Sequence, residues 1–327
     1  MLRNNRRMQN RTRLPAFILL TSLLAWGAVA GIAAAEWPEK HVDFVNPWGA
    51  GSAADIQARK LAEIISRELG QPLTVRNVTG AGGAIAFNEV QRAKPDGYTL
   101  LWYGSAINTL AARKQIKYDY NAFEHVAGVG FETVSIAVSK TAPWKDFREF
   151  IAHIKQNPGK VTIGNSGLGS VTHLVPTLVA SKIGAPIIHV PFGTGLAVAA
   201  LMGGKIDASS QLPAEILGQI RAGEVRVLAM SGEKRSSLWP DVPTMKESGV
   251  DVVYSMWRGF AAPKGTPRAI VDKMSAHVRK AVESREWIEF TASVGTKPQY
   301  FDTEAFVKLA ADMDKVTREI ITAAGLK

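Results

Sequence analysis

Two stretches of this chain carry residue types that hold an anion without reacting with it. The first is Pro47-Trp48-Gly49-Ala50-Gly51-Ser52-Ala53-Ala54-Asp55 and the second is Gly164-Asn165-Ser166-Gly167-Leu168-Gly169-Ser170-Val171-Thr172-His173. Each follows a short β-rich run and precedes a helical pattern. Glycine lets a backbone approach a ligand closely. The helix N-terminus behind such a loop offers unpaired N–H groups and a partial positive charge, which suit a carboxylate or phosphate. The hydroxyls of Ser52, Ser166, Ser170 and Thr172 add donors. A single loop of this composition is an ordinary tight connection. Two matched loops in separate parts of the chain imply a cleft that grips an anion at both ends.

Other chemistry finds less support. Ser166 with His173 suggests an exported hydrolase, but Leu168 stands where G-x-S-x-G needs its second glycine. The histidines at 41, 125, 153, 173, 189 and 277 show no metal-ligand spacing. No Walker lysine follows the glycines, and Gly80–Gly83 lacks the dinucleotide spacing, so no cofactor is expected. The chain has no cysteine, hence no thiolate nucleophile, disulfide or lipid-anchoring thiol.

The elements that must position these loops alternate between strands and amphipathic helices, which predicts an α/β protein with largely parallel sheets. His41–Pro47 reads as the first strand, and a helix from about Ala53 to Leu69 carries the apolar stripe Ile56, Leu61, Ile65 and Leu69. Strands follow at Leu73–Asn77 and Tyr98–Tyr103, and a second unit begins around Val126–Val138. Asp146 with Glu149 reads as an N-terminal capping pair. Strands at Val161–Gly164, Ile187–Pro191, Ile206–Ser210 and Val225–Met230 belong to that second unit. Pro267 opens a helix after the chain leaves it, and a last helix from Thr303 to about Ala324 should dock on the first unit.

Residues 1–35 read as a cleavable export signal. Arg3, Arg6, Arg7, Arg11 and Arg13 precede an apolar run from Leu14 to Ala30, and Ala33-Ala34-Ala35 supplies the small residues of a cleavage site. Without those five arginines, 34 basic residues face 29 acidic ones, so the net charge falls from +10 to +5. That excess suits a small anion and is too diffuse for nucleic acid. With no anchoring cysteine and no later apolar span, the expectation is a protein free in the periplasm.

The mature chain resembles the periplasmic receptors of tripartite tricarboxylate transporters, the Bug-type receptors. The resemblance rests on Trp37-Pro38, Leu69–Val75, Gly80–Gly83, Ala93-Lys94-Pro95-Asp96-Gly97-Tyr98-Thr99-Leu100 and Asn157–Lys160. It continues through Gly167–Ser170 with His173, His189–Phe192, Gly203–Asp207, Pro240–Thr244 and Ala262–Pro267. It implies a type II periplasmic-binding-protein fold, with two α/β domains, a hinge of two crossing strands and a closing cleft. Residues 36–130 with 232–327 would form the first domain and 131–231 the second. The ligand implied is a small organic acid. One carboxyl group would sit on the first loop, partly through water, and another on backbone and hydroxyl groups of the second domain. Carried over, the binding residues are Trp48, Gly49, Gly51, Ser52, Asp55, Ser105, Ser166, Gly169, Ser170, His173, Phe192, Thr194 and Arg258, the last in a Trp257-Arg258-Gly259 turn.

The chain also departs from the family pattern. Ala53 and Ala54 replace a proline- and glycine-rich stretch, and Phe192-Gly193 replaces a common Tyr-Lys. Gln211 stands where an acidic or amide residue is usual, and Arg258 where an aromatic one is. Trp48 and Phe192 point to an aromatic or partly apolar acid, with Arg258 pairing its carboxylate. The partners implied are that acid and the inner-membrane transporter subunits, or alternatively the ectodomain of a membrane histidine kinase. A LysR-type effector domain shares the fold, but the export signal and the lack of a DNA-binding helix pair argue against it.

Overall fold

The computed structural model describes residues 37–193, 196–236, 239–294, 296–323 and 325–326. The expected export signal and Thr194 lie outside the described residues. From the N-terminus the elements are β1 (Val42–Asn46), α1 (Ala53–Leu69), β2 (Leu73–Asn77), α2 (Ala84–Gln91), β3 (Thr99–Gly104), α3 (Ala106–Ala112) and β4 (Phe123–Thr133). Then come β5 (Ser135–Ser139), α4 (Phe147–Gln156), β6 (Thr162–Asn165), α5 (Val171–Ile183), β7 (Ile188–Pro191), α6 (Ala197–Met202), β8 (Ala208–Gln211), α7 (Pro213–Arg221) and β9 (Val225–Met230). The chain closes with β10 (Ser255–Pro263), α8 (Arg268–Glu283), α9 (Arg285–Ser293) and α10 (Thr303–Ala323).

These strands form two five-stranded sheets, β2-β1-β3-β10-β4 and β7-β6-β8-β5-β9. The plan is the same in both. A central strand is flanked by two parallel neighbours, β1 by β2 and β3, and β6 by β7 and β8. An antiparallel pair completes each sheet. In this plan the loops leaving β1 and β6 sit where the strand order reverses, the usual place for a ligand in an open α/β sheet.

The chain crosses from the first sheet to the second at Val134 and returns after Ser231. The two crossings lie side by side: Ser231 N donates to Val134 O at 2.9 Å, and Val134 N to Ser231 Oγ at 2.8 Å. The last helix does more than dock on the first unit. Phe306 and Ala310 pack with Tyr103 and Trp257 under the first sheet, while Ile320 and Ile321 join Leu174 and Val175 in the core of the second. Asn108 Nδ2 donates to Ala310 O at 3.0 Å, fixing the first half of that helix.

Local signals explain most boundaries. Ser52 caps α1 and Gly70 ends it in the left-handed region at φ 74°. Asp146 accepts from Glu149 N as expected, but Glu149 Oε2 reaches back to Lys145 N at 2.7 Å, one residue beyond the cap. Two expectations need correction. Trp257-Arg258-Gly259 is not a turn but part of β10, held between β3 and β4. Gly259 is there because a Cβ would meet Phe306 at 2.3 Å and Ala127 O at 2.4 Å. Helices α3, α7 and α9 had no sequence-based expectation. Within the α1 stripe, Leu61, Ile65 and Leu69 are buried, whereas Ile56 is 45% exposed.

Candidate functional site

The two glycine-rich loops face each other across one cavity of about 360 Å³. On the first-sheet side, Asn46 ends β1 with its side chain buried, and its Oδ1 accepts from Trp48 N at 3.3 Å. Gly51 turns the chain at φ 76°, and Ser52 Oγ then accepts from Asp55 N at 3.2 Å to start α1. Behind the loop, Asp55 is 2% exposed. Its Oδ1 accepts from Asn77 Nδ2 (2.7 Å) and Asn46 Nδ2 (3.2 Å), and its Oδ2 from Gly51 N (2.9 Å) and Arg59 Nε (3.0 Å). Burial works to raise the Asp55 carboxyl, but hydrogen bonds from Arg59, Asn77 and Gly51, with the Arg59 charge, hold it below the usual carboxylate value.

The second loop repeats this construction with neutral groups. Asn165 ends β6 and its Oδ1 accepts from Gly167 N at 3.0 Å. Gly169 turns at φ 83°, and Ser170 Oγ accepts from His173 N at 3.2 Å. His173 Nδ1 accepts from Gly169 N at 3.2 Å. Its ring packs on His189 with centroids 4.4 Å apart. Burial, followed by the His189 and Arg113 charges, lowers His173 to about 4, so it stays neutral at ordinary pH. Ser166 Oγ donates to Gln211 Oε1 at 3.2 Å. Ser166 and His173 are thus committed to different partners and do not form a nucleophile–base pair.

Arg258 lies in the wall of this cavity, on β10. It is 5% exposed, and its guanidinium carbon stands 5.1 Å from the centre of the Trp48 ring. Its Nε is 3.6 Å from Glu132 Oε1, close enough for ion pairing but too long for a hydrogen bond. Its Nε and Nη1 are buried with no hydrogen-bond partner among the described residues. Ser105 Oγ, Gln211 Nε2 and Glu132 Oε2 are likewise buried and unpartnered. Orphaned buried donors on this scale are rare in folded proteins and mark where an acceptor belongs.

Of the residues anticipated from sequence, Trp48, Gly49, Ser52, Ser105, Ser166, Gly169, Ser170 and Arg258 line this cavity. Gly51, Asp55, His173 and Phe192 do not. Asp55 and His173 hold the loops from behind. Phe192 turns its ring into the second sheet's packing, where a Cβ on Gly164 would lie 3.2 Å from it. Its substitution for a common tyrosine therefore bears on packing rather than on the ligand.

Sequence reasoning missed three charged groups. Arg113, at the end of α3, reaches to 3.5 Å from Leu168 O of the second loop and lines the cavity. Glu132 sits beside Arg258 and accepts from Gln57 Nε2 at 2.6 Å. Glu215 lies in the first turn of α7, where its Oε2 accepts from Leu212 N at 3.3 Å. Burial pushes Glu215 up to about 7, with the Glu132 charge adding to it and hydrogen bonds and Arg258 opposing. Leu212-Pro213-Ala214-Glu215, with proline at the first helical position and glutamate at the third, is a helix-start signal that would have exposed α7. Nothing around Arg113 or Glu132 distinguishes them in sequence. No cluster of metal-ligating side chains occurs among the described residues.

The sequence profile of tripartite tricarboxylate transporter family receptors matches residues 57–326. A UPF0065 protein of Cupriavidus necator is 33% identical over 322 residues, covering 95% of this chain and 97% of its own. Among solved structures, a TctC solute-binding protein from Polaromonas superposes with a TM-score of 0.75 at 31% identity, over 88% of this chain and 99% of that one. The R. palustris protein Rpa4515, solved with adipate, superposes at 0.77 with 26% identity, over 89% and 99%. The two-sheet α/β architecture and its paired loops are those of a periplasmic binding protein, and the chain belongs to the tripartite tricarboxylate transporter family receptors.

Proposed function

We propose that this chain is an exported receptor that captures a small organic acid between its two lobes and hands it to the membrane subunits of a tripartite transporter. Residues 36–130 with 232–327 form one lobe in this reading, and 131–231 the other. Arg258 carries the reading. A buried guanidinium with two orphaned N–H groups loses its hydration without replacement, and a ligand carboxylate would supply the acceptors. Serine donors from both loops and the first turns of α1 and α5 would complete the shell. No bond is made or broken in this scheme.

The pairing of Arg258 with Trp48, and the apolar Leu110, Val171, Leu212 and Met256 in the same wall, favour an acid with an apolar body over a compact tricarboxylate. The relative solved with adipate supports a carboxylate ligand. The test is calorimetric titration of the mature chain with mono-, di- and tricarboxylates and aromatic acids. Arg258→Leu is expected to weaken the best ligand about a hundredfold or more, as loss of a buried charge partner does. A variant that binds that acid as tightly as the native protein would remove Arg258 from the site.

A further inference from the structure

A second cavity adjoins the one beside Arg258. It lies beyond Ser52 and Ala53, measures about 420 Å³ and is enclosed by α1, α7 and α9. The two share Ser52, Ala53 and Glu215 as a common wall. Their chemistry differs. The first holds the guanidinium and the hydroxyls, whereas the second presents Ile56, Leu217, Phe290 and Val294. The arginine of the second cavity, Arg221, is spent on Ser293 O at 3.2 Å.

Ile56 is the telling residue. It belongs to the apolar stripe of α1, yet it stays 45% exposed while the rest of that stripe is buried. An apolar side chain held out of the core, in a cavity that shares three lining residues with a binding site, is suited to cover an apolar group that arrives later. Glu215 stands in the wall that the two cavities share, and burial raises it to about 7, so it readily sheds its charge. A neutral carboxyl costs an apolar chain less to pass than a carboxylate does.

We propose that the second cavity receives the apolar end of the ligand, so that the protein takes acids with an alkyl or aryl tail, the carboxylate at Arg258 and the tail between α1, α7 and α9. This rests on the carboxylate reading of the Arg258 cavity. Affinity should then climb with tail length until the second cavity is full, by up to about fourfold for each buried methylene.

The experiment is calorimetric titration of the mature chain with straight-chain acids from butanoate to dodecanoate and with phenylalkanoates. Two variants obstruct the second cavity. Gly218→Phe builds on a position where a Cβ meets nothing within 4 Å, and the change removes a glycine from a helix. Leu217→Glu sets a charge among the apolar walls. Each is expected to lower the ratio of long-acid to short-acid affinity by about tenfold or more. A native affinity that is flat with tail length, or a ratio unmoved in both variants, overturns the proposal while leaving short-acid binding as the receptor's activity. Binding of a di- or tricarboxylate with no acid of this series bound overturns this proposal alone, and failure to bind any carboxylate overturns the carboxylate reading and this proposal with it.

Discussion

The loops after β1 and β6 reach one geometry from two different chemistries. In each, a buried asparagine ends the central strand and turns its side chain onto a backbone N–H two residues on. In each, a glycine in the left-handed region precedes a serine cap, with φ and ψ of −67° and 159° at Ser52 and −67° and 160° at Ser170. Only the anchor behind differs. The first loop is tied down by a buried carboxylate that gathers two asparagines, a backbone N–H and an arginine. The second is tied by a neutral imidazole on a single backbone N–H, with Thr172 Oγ1 accepting from Ser166 N at 2.9 Å. A loop that must present donors to an anion needs its own backbone fixed first, and either chemistry achieves that. The charged anchor holds more groups, so it should fail harder when removed.

Asp55→Ala is the sharpest way to expose that asymmetry. It takes an acceptor from Asn46, Asn77, Arg59 and the Gly51 N–H, although Asn77 Nδ2 keeps Trp48 O and Arg59 Nη2 keeps Asn77 Oδ1. The expected loss of folding stability is about 3 kcal/mol, against about half that for His173→Ala, where one backbone donor is orphaned. Denaturant unfolding of both variants measures the difference. Equal losses would mean that the extra partners of Asp55 contribute nothing.

The first loop's anchor also shows what the sequence made legible. Asp55 is legible only through the family resemblance, which offers it as a binding residue, and its place behind the loop is not, because a carboxylate near glycines reads equally well as ligand contact or as loop brace. Arg258 shows the opposite. Its type promises an anion contact and the fold places it in the cavity wall, but on a strand rather than in the expected turn. β10 is buried on both faces, so it shows no two-residue alternation, and Gly259 mimics a turn signal although it is there to admit Phe306. Strands and helices with one wet face, such as α1 and α4, were read almost to the residue. The cavity wall formed by α7 was lost because that helix is short and its apolar residues are few.

Acid should reach the second loop through its anchor. Gly169 N–H donates to His173 Nδ1, so the neutral ring carries its proton on Nε2, and protonating Nδ1 breaks the bond. His173 titrates at about 4 in the folded chain against 6.5 when unfolded. Between those values the unfolded state binds more protons, so stability rises with pH across that window and falls as pH drops through it. The expected loss from pH 6.5 to 4 is about 2 kcal/mol. His173→Asn keeps an acceptor near the Nδ1 position and removes the titration. His125, also lowered to about 4 by burial, is present in both proteins, so the difference in slope reports on His173 and on the His189 ring packed against it. Identical pH profiles for the variant and the native protein would show that the second loop is not held this way.

The caps themselves should separate least. Ser52→Ala and Ser170→Ala each remove one side-chain acceptor from a helix N-terminus, a loss of about 1 kcal/mol. Ser52 Oγ accepts only from Asp55 N in the hydrogen bonds described, whereas Ser170 Oγ also donates to Gly167 O at 2.7 Å and meets Thr172 Oγ1 at 2.9 Å. The second cap is therefore expected to cost more, by about 0.5 kcal/mol. The ordering reverses that of the anchors. Where the first loop concentrates its hold in Asp55 behind the backbone, the second spreads it through hydroxyls along the loop, and those same hydroxyls face the cavity. Ligand titration of the two variants then divides the roles: Ser170→Ala should lose affinity beyond what its stability change explains, because removing it also frees Thr172 and Gly167 to rearrange. Equal stability and equal affinity in the two variants would reduce the loops to two copies of one device.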